Sequence, residues 1–100
     1  MKYSNQELID KLTPILKKYP IKRAALFGSY ARGEQMGESD LDILLEYEFS
    51  SEHFDFYDFW DYLENDLNIK ADVLTFESLK LAPKRFRERI LKEARYIYEI

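Results

Sequence analysis

The sequence predicts an α/β (α+β) domain: a small mixed β-sheet of three or more strands flanked by helices. Three observations carry this expectation. The chain has 100 residues, the length of one hydrophobic core, so residues 1–100 are expected to form a single domain. Short apolar runs near residues 21–27, 41–47 and 70–75 alternate with stretches of helical periodicity, which is the pattern of helices layered on a sheet. The run Ile43-Leu44-Leu45 shows no polar alternation, so its strand is expected to be covered on both faces.

Taken in order, Ser4 followed by Glu7 is a capping-box pattern that starts a helix. Leu8, Leu12, Ile15, Leu16 and Tyr19 continue it at helical spacing, Pro14 is expected to kink or restart it, and Pro20 closes it. Ile21 to Phe27 reads as a strand running into Gly28-Ser29, with a short helix over Ser29-Tyr30-Ala31-Arg32 broken by Gly33 and again by Gly37. Leu41 to Tyr47 is the second strand. Ser50 or Ser51 is expected to cap a helix reaching about Leu67, and Lys70 to Thr75 is the third strand. After Phe76-Glu77-Ser78 the chain turns helical again, with Pro83 near the first turn of a last helix through Ala94. Tyr96, Ile97 and Tyr98 are expected to complete the core or a small sheet.

Composition removes several functions. Without cysteine there is no disulfide framework, thiolate metal site or catalytic thiol, and a lone His53 cannot build a multi-histidine centre. The net charge of −4 argues against a chain that coats nucleic acid by bulk positive charge. No apolar run approaches the roughly 20 residues that cross a bilayer, and the start Met1-Lys2-Tyr3-Ser4-Asn5 lacks the apolar stretch of a signal peptide. A soluble, cytoplasmic protein is expected.

The chemistry concentrates in Gly28-Ser29-Tyr30-Ala31-Arg32-Gly33 and Ser39-Asp40-Leu41-Asp42. A Gly-Ser pair at a strand end that opens a helix offers free amides and a hydroxyl to an anion such as phosphate. Glu34 and Gln35 stand where a P-loop would need Lys and Ser or Thr. Asp40 and Asp42 alternate onto one face of their strand, where two like charges repel unless a cation neutralises them. Oxygen ligands alone select a hard ion, Mg²⁺ or Mn²⁺. Asp72 interrupts an otherwise apolar strand between Ala71 and Val73, an unfavoured place for a carboxylate. If the third strand lies beside the second, Asp72 completes a three-carboxylate cluster.

The ordered combination Leu26-Phe27-Gly28-Ser29-Tyr30-Ala31-Arg32-Gly33-Glu34, Ser39-Asp40-Leu41-Asp42-Ile43-Leu44 and Ala71-Asp72-Val73-Leu74 resembles the nucleotidyltransferases of the DNA polymerase β type, and most of all the minimal nucleotidyltransferase (MNT) family. The resemblance covers nearly the whole chain and implies the nucleotidyltransferase fold. It also implies that Gly28 and Ser29 bind the β- and γ-phosphates of ATP. Asp40 and Asp42 would then hold two Mg²⁺ ions (Mn²⁺ as a substitute), and Asp72 would hold the ion that activates the incoming hydroxyl. Arg32 is open to two readings, positive charge near the phosphates or pairing with Glu34 or Glu38. Ser39 is grouped with the nucleotide-binding residues, although a turn cap explains it better than a ligand role.

Minimal nucleotidyltransferases typically pair with a HEPN-domain ribonuclease in toxin–antitoxin modules, and the resemblance implies AMP transfer from ATP to a tyrosine of that toxin. The chain is thus expected to be an antitoxin in a hetero-oligomer. The alternatives are an antitoxin that acts by occlusion alone, or transfer to a small molecule or an RNA end. The residues lend the partner modest support. Phe56, Phe59, Trp60, Leu63 and Leu67 gather on one helical face, while Phe54 and Tyr62 fall on the side of Asp55, Asp58 and Asp61. Phe54 and Tyr62 are therefore open to two readings, packing against a neighbouring segment or docking a basic partner. The last helix is basic, with Lys84, Arg85, Arg87, Arg89, Lys92 and Arg95. It is read as a solvated face, as a partner of the acidic helix, or as a contact for nucleotide or nucleic acid.

Overall fold

Ser4 opens the first helix as expected: its hydroxyl accepts the Glu7 amide while the Glu7 carboxylate accepts the Ser4 amide, so two otherwise orphaned donors are satisfied. In the computed structural model, which describes residues 3–35, 40–47 and 55–100, this helix, α1, spans Asn5–Lys18 and runs unbroken across Pro14. The expected restart does not occur. Leu12, Ile15 and Leu16 on either side of the proline are buried, and Asp10, whose carbonyl Pro14 leaves without its helical donor, is exposed to water.

Strand β1 (Ile21–Phe27) leads into the short helix α2 (Gly28–Arg32), which Gly33 ends in a left-handed conformation at φ 71°. Strand β2 (Leu41–Tyr47) follows, then α3 (Phe56–Leu67), β3 (Ala71–Thr75), α4 (Phe76–Lys80), α5 (Lys84–Glu93) and β4 (Arg95–Glu99). Helix α3 starts later than the serines at 50 and 51 suggested. Asp55 caps it, its carboxylate accepting the amides of Tyr57 and Asp58, which satisfies two of the donors left free at a helix start.

The sheet order is β3-β2-β1-β4. Strand β1 pairs antiparallel with both β2 and β4, and β2 pairs parallel with β3, so the sheet is mixed. Alternation along the strands divides the core. Ala24, Leu26, Leu41, Ile43, Leu45, Ala71 and Val73 point to the side covered by α1 and α3. Ala25, Phe27 and Leu44 point to the other side, where Leu79 of α4 and Ile90 of α5 cover them. This explains the unalternating Ile43-Leu44-Leu45 run. Residues Tyr96–Tyr98 extend the sheet through β4, and both halves of the expectation hold: Ile97 and Tyr98 pack against the main core, while Tyr96 remains half exposed at 52%.

The second layer, α4 and α5, is the thinner one, and it covers only part of its face. Asp42 and Asp72 lie on that same side, at the starts of β2 and β3, beyond the reach of its small apolar cluster.

Candidate active site

The strand ends place the site. In the parallel pair, Asp42 stands directly opposite Asp72; in the antiparallel pair, Asp42 faces Phe27, the last residue before Gly28. Three segments distant in sequence therefore meet at one sheet corner. Gly28 adopts φ 71°, and any Cβ there would overlap the Asp42 carboxylate, whose Cγ would lie 3.0 Å away. Glycine is required twice over, for the left-handed backbone and for the approach of the carboxylate.

Gly28, Ser29, Arg32, Asp40, Asp42 and Asp72 line one open cleft of about 690 Å³. The fold thus brings to one cleft six residues that the sequence singles out. Ser39 and Phe54, also singled out in the sequence, lie outside the described residues. Tyr62 faces elsewhere: its hydroxyl accepts a hydrogen bond from Lys18 Nζ at 2.9 Å, and its ring packs edge-on to Tyr19 at 6.1 Å. These contacts account for Tyr62 through packing between α1 and α3.

The carboxylates repel one another as their crowding requires. Burial is the first cause that raises the Asp42 pKa, to about 6; the Asp72 charge, a hydrogen bond with Asp72 and the Asp40 charge follow, and Arg32 opposes them. Asp40 and Asp72 are exposed, so Asp42 bears most of the desolvation. Among the described residues, no three His, Cys, Asp or Glu side chains converge as a ready ligand group. The donor chemistry nonetheless fits a hard divalent cation: the donors are all carboxylate oxygens, and Asp42 is raised by burial first and by its neighbouring carboxylates next.

Trp60, Phe86 and Glu93 line the cleft without having been singled out as site residues in the sequence, and Arg89 joins them from the basic last helix, for which nucleotide contact is one of the readings. Trp60 reaches it from α3, anchored by its indole N–H to the Ala71 carbonyl at 2.9 Å. Phe86 and Arg89 enter from α5, with the Arg89 guanidinium 5.6 Å from the Phe86 ring. Glu93, the last residue of α5, accepts the Gly28 amide at 3.3 Å and the Arg32 guanidinium at 3.1 Å. Arg32 also pairs with Glu34 at 3.1 Å. The clearest sequence signal was Glu93 itself, an acid at the end of a strongly basic helix.

The family model for the polymerase beta nucleotidyltransferases matches residues 10–100 of this chain. A Methanocaldococcus jannaschii relative that carries the name of a protein adenylyltransferase is 45% identical over 75 residues, 74% of this chain and 87% of its own length. A solved structure described as a minimal nucleotidyltransferase superposes with a TM-score of 0.70 at 27% identity, covering 93% of this chain and 95% of that one. A tri-AMPylated Shewanella oneidensis HEPN toxin in complex with an MNT antitoxin contains a chain of the same fold, with a TM-score of 0.68 at 16% identity. That match covers 96% of this chain and 73% of the other. With the strand-end carboxylates, the Gly-Ser turn and these matches in place, the chain belongs to the polymerase β nucleotidyltransferase family.

Proposed function

We propose that the protein transfers AMP from ATP to a tyrosine hydroxyl of a HEPN-type ribonuclease toxin and so acts as its antitoxin. The observation that carries this reading is the placement of Asp42 opposite Asp72, with the Gly28 turn against Asp42. The adenylyltransferase name of the relative and the AMPylated toxin in the similar complex support the choice of AMP and partner.

In this reading the Gly28-Ser29 turn holds the β- and γ-phosphates, and Arg32 adds positive charge beside them. Asp40 and Asp42 would hold both divalent ions, and Asp72 would share the one nearer the acceptor. When bound, such ions neutralise the triphosphate and lower the pKa of the attacking hydroxyl for in-line displacement. Asp72 is exposed, so it can meet a hydroxyl presented by another protein and take its proton. The acceptor oxygen bonds to the α-phosphorus while the bond from that phosphorus to the bridging oxygen breaks, and pyrophosphate departs. The cleft is open, which favours an acceptor carried on a partner.

Incubation with ATP, Mg²⁺ and a candidate HEPN toxin tests the proposal by intact mass and peptide mapping. The expected product is the toxin carrying AMP on tyrosine, with restored growth or reduced ribonuclease activity. An unmodified toxin whose activity is nevertheless blocked would replace transfer with occlusion.

A further inference from the structure

Glu93 sits where an anionic ligand of this cleft would be expected to sit. Its two carboxylate oxygens are both engaged, Oε2 by the Gly28 amide and Oε1 by Arg32, and its side chain is 23% exposed. These donors are the ones that the proposed function gives to the triphosphate. The position is otherwise unfavourable for a carboxylate, because Glu93 is the last residue of α5, where the helix dipole presents its negative end. Its hold on the turn therefore depends on Gly28 and Arg32. Arg89 lies one helical turn earlier and lines the same cleft, so the helix that supplies the carboxylate also offers a cation.

We propose that Glu93 is an internal stand-in for nucleotide phosphate: it engages the Gly28 amide and the Arg32 guanidinium, and ATP must displace it. Glu93 thereby sets the affinity for phosphate-bearing ligands. The free enzyme keeps its anion-binding donors satisfied and oriented, and the exchange of one anion for another lowers net affinity. This rests on the nucleotide reading above.

Trp60, the only tryptophan, lines the cleft, so its fluorescence reads binding directly and independently of turnover. ATP and adenosine are titrated, with Mg²⁺ present, into wild-type protein, Glu93→Gln and Glu93→Ala. The amide retains one acceptor and loses the charge; alanine suits a helix end and remains informative if the amide variant misfolds. Both variants are expected to bind ATP at least about fivefold more tightly than wild type, about 1 kcal/mol by the affinity relation. Adenosine, which has no phosphate to compete, should bind all three alike. Folded variants that bind ATP no more tightly than wild type would overturn the proposal, and so would an equal gain for adenosine. If the wild type binds no ATP at all, the nucleotide reading itself fails.

Discussion

Asp42 and Asp72 occupy opposite positions in the parallel β2–β3 pair, and their proximity helps raise Asp42 to a pKa of about 6 after burial has made the larger contribution. The sheet thus holds two carboxylates together at a place where the free protein has little to neutralise them.

Replacing Asp72 by Asn should lower the Asp42 pKa without restoring its ordinary value of 3.8, since burial remains the first cause. An NMR titration of the Asp42 side-chain carboxyl in metal-free protein checks this. A pKa that does not fall would show that the two groups are not coupled.

Burial of Asp42, with the crowding added to it, costs stability. The folded-state pKa of Asp42 is raised, so its contribution is fully present below pH 3.8 and is lost as pH rises through about 6. Asp42→Asn should therefore stabilise the metal-free protein at pH 8 by about 1–2 kcal/mol, a figure reduced because the group is half exposed, and should change little at pH 3. Urea denaturation at the two pH values measures it. Mg²⁺ should raise the midpoint of wild type more than that of the variant, because a bound cation offsets the repulsion.

Gly28→Ala should destabilise the fold by about 1–3 kcal/mol and abolish transfer, because a methyl group on a backbone at φ 71° meets the Asp42 carboxylate. Thermal unfolding and a transfer assay report the two effects separately. Normal activity would remove the turn from the proposed phosphate site.

Asp55→Ala serves as the contrast. Loss of its bonds to the Tyr57 and Asp58 amides should cost about 1 kcal/mol while leaving transfer intact, since the cap is not among the residues lining the cleft. Thermal unfolding and the same transfer assay again separate stability from activity.

These effects trace how far the sequence could be read. The carboxylates were legible because Asp40 and Asp42 stand two residues apart at the entry to β2, which begins at Leu41, and because Asp72 contradicts its apolar strand. Gly28 was legible because it joins strand to helix. Trp60, Phe86, Arg89 and Glu93 reach the cleft from helices separated from it by long-range packing, and helical periodicity does not say which neighbour a face will meet. Trp60 was grouped with the apolar face of α3, yet its indole N–H turns to the Ala71 carbonyl and holds it beside Asp72. Of the two outcomes that local chemistry offers at Pro14, a kink or a restart, the restart does not occur, because α1 continues across it with buried residues on both sides. Strand β4 was uncertain because its place is set by pairing with β1 across some seventy residues of chain.

The most direct test of nucleotidyl transfer at the Asp42–Asp72 pair uses ATP labelled separately at the α- and γ-phosphates, with the proposed HEPN partner and wild-type or Asp42→Asn protein. The α-label should pass to the partner with wild type and be absent with Asp42→Asn, while the γ-label leaves in pyrophosphate. Transfer of the γ-label to the partner, or undiminished α-label transfer by the folded variant, would contradict the account.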